Sequence, residues 1–268
     1  MYTAKELLRL PPFSQERKIL LNKGYELIDT IWKWRNPGAS SYGASDGSAG
    51  LVCKFLKRMK DPVMLYEAGT GTGFSAGMFM KYPNVSMRGC DVVVPGTVKD
   101  LMREYPGRLS VEEATLYDSL KGLEDGSIDI FYADNVFEHL FPDEFPEIMK
   151  ILVNKLKRGA LLFLFIPNRL YGPNDDSRFF LKMGQKAQGF HFMEQSYRDV
   201  TAYYAKWGIV PAYSTYMIYK KVRCIKDSRG IKSRFKLFLE DAAKHLPPFL
   251  RGRVMRRLGL SSYILVKK

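Results

Sequence analysis

Val63-Met64-Leu65-Tyr66-Glu67-Ala68-Gly69-Thr70-Gly71-Thr72-Gly73-Phe74-Ser75-Ala76-Gly77 orders everything around it. The run from Val63 is mostly apolar, as buried parallel strands are. Glu67 sits near its end, three alternate glycines follow, and small residues then open a helix. Glycine at every second place lets the chain turn sharply and brings a ligand against main chain with no Cβ in the way. A strand, turn and helix of this kind belongs at the carboxyl edge of an open α/β sheet, where such folds bind nucleotide-like ligands.

The spacing separates ligand classes. A dinucleotide fingerprint reads G-x-G-x-x-G, whereas here the glycines run G-x-G-x-G and Phe74 holds the later place. Glu67, two residues before the first glycine, would repel a pyrophosphate and attract a cation. After the short stretch Val85-Ser-Met-Arg-Gly-Cys90 comes a second acid, Asp91. It lies about 20 residues on, where a carboxylate can accept both ribose hydroxyls. A nicotinamide or flavin site, or a turn with no ligand, are the competing readings of the glycines alone.

The glycines, Glu67 and Asp91 resemble motif I and the following acidic motif of class I S-adenosylmethionine-dependent methyltransferases. The resemblance implies a donor pocket of Glu67, Gly69, Thr70, Gly71, Gly73, Asp91, Val92, Thr115, Leu116, Asp134 and Asn135.

Around the glycine turn, strands and helices alternate as a doubly wound sheet requires. Residues 1–36 read as helical, broken at Pro11-Pro12, and Asn36 to Ser48 reads as a loop that could serve as a lid. Arg88 to Val94 covers the end of a second strand, and Lys99 to Tyr105 is helical. Leu109 to Glu113 and Ile128 to Ala133 are further strands. Phe145 to Leu156 is a helix ended by basic residues and Gly159. Ala160 to Ile166, Ile209 to Tyr219 and Ser262 to Val266 complete seven strands. The fold expected is α/β and Rossmann-like, a mostly parallel seven-stranded sheet with helices on both faces. A helical cap and lid occupy 1–50, the core 51–219, a basic helical insert 220–260 and the last strand 261–268.

Ile128-Asp-Ile-Phe-Tyr-Ala-Asp-Asn-Val-Phe-Glu138-His139-Leu and Ile151-Leu-Val-Asn-Lys-Leu-Lys-Arg-Gly-Ala-Leu-Leu-Phe-Leu resemble the type 11 methyltransferases. Arg158 and Ala160 stand where that pattern has proline and a second glycine. Gly172-Pro-Asn-Asp-Asp-Ser177 in the segment from Pro167, with Gly189-Phe-His191-Phe-Met-Glu194, looks like bacterial members associated with cell-surface polysaccharide genes. That resemblance implies methyl transfer to a hydroxyl of a saccharide or other small molecule.

A sulfonium donor already carries its leaving group, so the protein must align a nucleophile with the methyl carbon and take its proton. His139 follows the fourth strand and His191 the fifth, and both loops converge on one sheet edge, so each is a candidate base. A hydrogen-bonding structural histidine is the competing role for either. Asp175 and Arg178 are the candidate acceptor contacts, suited to hydroxyls and to anionic groups respectively. Turn chemistry alone would also explain Asp175. Some methyltransferases resembling this arrangement bind a divalent cation through Glu-x-x-Glu-His and a later histidine. Asn135 replaces the first acid here, so the expectation is that no metal is bound.

The 268 residues suffice for one α/β domain with additions. The hydrophobic fraction, 46%, and the charged fraction, 26%, are those of a globular protein. Three cysteines, Cys53, Cys90 and Cys224, fit no metal spacing and point to a reducing, cytoplasmic setting. No secretory leader is read at the start, and no apolar run is long enough to span a bilayer. Of the net charge of +14, nearly all lies from Lys220 to Lys268, with fifteen Lys or Arg there against Asp227, Glu240 and Asp241. Within it, Phe235, Phe238, Leu239, Ala242 and Leu246 recur at helical spacing. Leu250, Val254 and Leu258 form a second stripe among Arg251, Arg253, Arg256 and Arg257. Such a basic amphipathic pair can lie on an anionic membrane or pack on the core. Nucleic acid is a poorer candidate partner, because no recognition module is visible.

Overall fold

The computed structural model describes residues 4–35, 46–218, 221–227 and 230–268. Eight strands form a single sheet in the order β3-β2-β1-β4-β5-β8-β6-β7. They are β1 (Val63–Ala68), β2 (Val85–Asp91), β3 (Leu109–Glu113), β4 (Ile128–Asp134), β5 (Leu156–Phe165), β6 (Ile209–Ile218), β7 (Lys221–Lys226) and β8 (Ser262–Lys267). The first five in space are parallel, while β8 runs antiparallel to both β5 and β6, and β7 antiparallel to β6.

The sheet has one strand more than the seven expected. The addition, Lys221-Val-Arg-Cys-Ile-Lys226, is a charged edge strand, and lysines on an edge discourage pairing with another chain. Its charge hides it inside the basic stretch. The second strand also begins at Val85 and ends at Asp91, so Val92 to Val94 belong to the following loop.

Both faces of the sheet are covered, which is why β1, β4 and β5 are apolar on both sides. Tyr66, Phe131, Leu162 and Leu164 face one core with α6 (Leu116–Lys121), α7 (Phe145–Lys155) and α8 (Tyr197–Ala205). Ala243 of α9 (Ile231–Ala243) and Met255 of α10 (Pro248–Arg257) join the same core. Leu65, Ile130 and Phe163 face the other, with α3 (Asp46–Leu56), α4 (Phe74–Phe79) and α5 (Gly96–Glu104).

At the N-terminus stand α1 (Ala4–Leu7) and α2 (Gln15–Arg35). Buried Arg17 on α2 donates to Asp143 and Glu144, each at 2.9 Å, and Lys18 meets Asp118 at 2.6 Å. The ring of Tyr25 lies 5.7 Å from that of His139 and 5.9 Å from that of Phe190. This first long helix therefore runs across loops at the carboxyl edge of the sheet. Residues 36–45 of the expected lid lie outside the described residues, and Asp46 to Ser48 open α3 instead of ending a loop.

The basic tail packs in an unexpected sense. On α9 the buried side chains are Ser233, Lys236, Glu240 and Ala243, whereas Phe235 and Phe238 are 55% and 66% exposed. Asp227 starts this helix by accepting from the backbone N–H of Lys232 (3.1 Å) and Ser233 (2.8 Å). Glu240 accepts from Asn168 Nδ2 (2.9 Å) and from the N–H groups of Tyr197 (2.7 Å) and Arg198 (3.0 Å). It thereby ties α9 to the start of α8. Lys236 Nζ donates to the Gly259 carbonyl (3.1 Å) and lies over the rings of Tyr197 and Tyr216. Burial pushes its pKa down to about 7.

Candidate active site

The parallel register brings the carboxyl ends of β1, β2 and β4 level, with Ala68 opposite both Cys90 and Ala133. Glu67, Asp91 and Asp134 therefore gather at one edge around the glycine turn. Gly69 has φ +69°, and a Cβ there would stand 2.5 Å from Val136 Cγ2, in the loop after β4. Gly73 has φ +83° and packs against Val98 and Leu101 of α5. Both positions demand glycine, the first so that the two loops can touch and the second so that α4 can begin.

Glu67 is buried, and the Ser75 hydroxyl donates to one of its oxygens. The other oxygen, and the hydroxyl oxygen of Thr70, have no partner among the described residues. Burial pushes the Glu67 carboxyl up to about 8, with the charges of Asp91 and Asp134 adding to the effect. Asp91 Oδ2 accepts from Gly71 N at 2.7 Å and Oδ1 from Val93 N at 3.2 Å. Its carboxyl is also raised by burial, against the pull of those N–H donors. Asp134 is raised for the same reason, and the hydroxyls of Ser48 and Tyr132 donate to it. Three carboxylates gathered at one edge make a site that favours positive charge.

The remaining expected donor contacts divide. Val92 follows Asp91 directly and is half-buried, so it shares the edge. Thr115 caps α6, its hydroxyl oxygen accepting from Asp118 N at 3.2 Å, and the Leu116 side chain is buried in the core. Leu116 can offer a ligand only backbone. Asn135 is exposed, has φ +54°, and donates from Nδ2 to Asp134 at 3.0 Å. A left-handed asparagine immediately after a strand reverses the chain into the short 3-10 turn Phe137–His139.

That turn delivers His139 to His191. The two rings meet edge to face with centroids 4.7 Å apart, although the residues are far apart in sequence. His139 Nδ1 bonds the Phe190 carbonyl at 3.0 Å, and His191 Nδ1 bonds Glu194 Oε1 at 2.8 Å. Burial, then the neighbouring His191, holds the His139 imidazole down at about 3. Glu138, between Asp134 and His139 in the chain, is fully buried, and burial raises its carboxyl well above the usual range.

The two expected acceptor contacts are less convincing in place. Asp175 accepts from the N–H groups of Ser177 (3.0 Å), Gly189 (2.8 Å) and His191 (3.4 Å), so its carboxylate holds the loop that carries His191. Arg178 is exposed and lies over the Phe179 ring, 5.0 Å from its centroid. Ser48, Ser75, Tyr132 and Glu194 contact these residues although none of them is among the candidate site residues. Only Glu194 leaves a sequence signal, three residues after His191.

Solved structures share this architecture. A Burkholderia thailandensis 1,6-didemethyltoxoflavin-N1-methyltransferase, crystallised with S-adenosylhomocysteine, is similar over 96% of this chain and 91% of its own, with TM-score 0.55 and 10% identity. The fold is that of class I methyltransferases. The [4+2]-cyclase SpnF is similar over 96% of both chains (TM-score 0.51, 14% identity). A geranyl diphosphate methyltransferase in complex with GPP and sinefungin covers 81% of this chain and 76% of its own (TM-score 0.50, 13% identity). No protein-family model and no curated protein matches the sequence. A cyclase among these structures shows that the fold hosts more than one chemistry, so function must be argued from the site.

Proposed function

We propose that this chain binds S-adenosylmethionine and transfers its methyl group to a hydroxyl of a saccharide or other small molecule. One observation carries the reading. Glu67, Asp91 and Asp134 converge around a glycine turn, with a Glu67 oxygen and the Thr70 hydroxyl buried without partners among the described residues. A donor with an ammonium, a sulfonium and ribose hydroxyls fits that set. Asp91 is the ribose acceptor, and Glu67 answers the donor's positive charge.

At the adjoining loops His139 and His191 are the candidate bases. His191 is the better placed, because Glu194 holds its Nδ1 and leaves Nε2 to receive a proton. His139, held far below neutrality, is a weak base. We propose membership of the type 11 family on the segments Ile128 to Leu140 and Ile151 to Leu164, and of its surface-polysaccharide subset on Gly172 to Ser177 and Gly189 to Glu194.

Titration calorimetry with the donor and with S-adenosylhomocysteine tests the reading. Binding should weaken by about 1.5–3 kcal/mol in Asp91→Ala, through lost charge-assisted hydrogen bonds. No binding of either compound would leave a non-catalytic protein that keeps the fold. His191→Ala should lower turnover about 10²–10⁴-fold with donor affinity intact.

A specific observation also favours peripheral docking on anionic membrane. Ile231, Phe235 and Phe238 are exposed on α9, and Arg253, Arg256 and Arg257 are exposed on α10. No helix among the described residues is long and apolar enough to cross a membrane. Such a surface suits a cytoplasmic protein working at the inner face of a membrane on a lipid-linked acceptor, with unpaired Cys53, Cys90 and Cys224 in keeping. Sedimentation with anionic vesicles should be salt-sensitive and should fall when the three arginines become Gln. Equal sedimentation with neutral vesicles would refute it.

A further inference from the structure

We infer that Glu138, His139 and His191 bind a divalent transition-metal ion. One ligand atom from each lies within 4.8 Å of the others. This deepens the proposed methyl transfer, on which its catalytic role rests, and reverses the expectation of no metal.

Three observations point the same way. First, Glu138 is fully buried, yet neither of its carboxylate oxygens has a hydrogen-bond partner among the described residues. A buried carboxylate without donors is strongly disfavoured, and a cation beside it removes that penalty. Second, each histidine already has its other nitrogen occupied. A proton on His139 Nδ1 is directed to the Phe190 carbonyl, and one on His191 Nδ1 to Glu194. Both Nε2 lone pairs are then left for a ligand. Metal-binding histidines are oriented in just this manner, by a carbonyl or a carboxylate on the far nitrogen. Third, the two segments are tied together: Met193 N donates to the Glu138 carbonyl at 2.9 Å. Asp175 secures the loop from the other side through Gly189 and His191. The triad is thus assembled by backbone anchors and does not depend on the ion for its approach.

The donor set selects the ion. Two imidazoles and one carboxylate suit zinc, cobalt, manganese or iron(II), whereas calcium and magnesium prefer oxygen-only shells. Bonds of about 2.1 Å would draw the ligand atoms to roughly 3.4 Å apart. Three protein ligands leave room for water and for an acceptor oxygen.

With the ion bound, the histidines become ligands and cannot also take the proton. An ion held there would lower the pKa of a bound water and so supply the base that takes the proton of the acceptor hydroxyl. The resulting oxygen anion forms its bond to the methyl carbon while the carbon–sulfur bond breaks, and that electron pair stays on sulfur.

The test uses the purified full chain, stripped with chelator and dialysed. Cobalt(II), read by its visible absorption, and zinc, read by calorimetry, should each bind at one equivalent. Glu138→Gln and His191→Ala should each weaken binding at least about tenfold, and His245→Gln, on the tail, should not. Zinc should also raise the melting temperature of the parent chain but not of His191→Ala, a loop substitution that spares the core. No cobalt binding, or binding unchanged in both site variants, overturns the proposal and leaves His191 as the base. A donor titration on the same samples separates the two readings. Loss of donor binding with retained metal would sink the methyl-transfer assignment alone.

Discussion

Helices α7 and α9 cover the same face of the sheet with opposite sides of themselves. On α7 the buried residues are Phe145, Ile148, Met149 and Leu152, while Glu147 and Lys150 pair outside. On α9 the polar Ser233, Lys236 and Glu240 face inward with Ala243, and the aromatic stripe faces out. Both helices are amphipathic, and periodicity alone leaves open whether the apolar stripe of α9 meets the core or a membrane. What differs is the surface waiting for each. The first meets apolar strand faces, whereas the second meets exposed backbone at the start of α8, the Gly259 carbonyl and the Asn168 amide, which require polar partners. A helix buries whichever side satisfies its neighbours.

The largest consequence should be seen on α7. Leu152→Ala should lower unfolding free energy by about 3–5 kcal/mol in urea titration, because a fully buried leucine leaves a cavity. A loss below 1 kcal/mol would mean that α7 is not the anchored member of the pair.

Next comes the inward polar face of α9. Glu240→Ala leaves the Tyr197 and Arg198 N–H groups without their acceptor, and the Asn168 amide with only the Leu260 carbonyl. We expect about 3 kcal/mol of destabilisation. An unchanged urea midpoint would break the contrast, since α9 would then be held by something other than its polar side.

Lys236 gives the comparison a pH signature. Its ammonium titrates near 7 in the folded chain, against 10.5 when exposed. Between those values the unfolded chain binds the additional proton, so stability rises with pH across about 7 to 10.5, and below that window the penalty is complete. Lys236→Met should abolish this rise and stabilise the protein by about 1–2 kcal/mol at pH 7. Parallel stability curves for parent and variant over that range would show the lysine to be solvated.

The smallest effect is expected on the outward stripe. Phe238→Ser should change stability by no more than about 0.5 kcal/mol, since the ring is two-thirds exposed. A substantial loss would show that the stripe is covered by the chain itself. Unaltered folding with weaker vesicle sedimentation would instead give the stripe an external use.

The gathering of acids at one sheet edge was legible for a local reason. Glu67, Asp91 and Asp134 each stand at or next to the end of an apolar run, and residues at strand ends share an edge whenever the strands are parallel. Thr115 and Leu116 show where that logic thins, because a helix cap and a core contact occupy their side chains. The His139 and His191 pair was readable as two loops at one edge, but not as touching rings. That contact depends on the left-handed Asn135, the 3-10 turn after it and the loop tied down by Asp175. Ser48 and Tyr132 had no signal, because a serine at the start of a helix and a tyrosine within an apolar strand are ordinary on their own.

By itself the sequence determined the alternation of strands and helices, the glycine turn and the acids beside it. Those features arise from backbone hydrogen bonding, φ restrictions and runs of apolar residues a few positions long. Tertiary structure decided the eighth strand, the inverted α9 and the meeting of Glu138, His139 and His191. In each case the outcome depends on what lies opposite: a free sheet edge for Lys221 to Lys226, unsatisfied backbone for Glu240, a second loop for His139. Burial and pairing are properties of two surfaces, and a chain read along its length presents only one of them at a time.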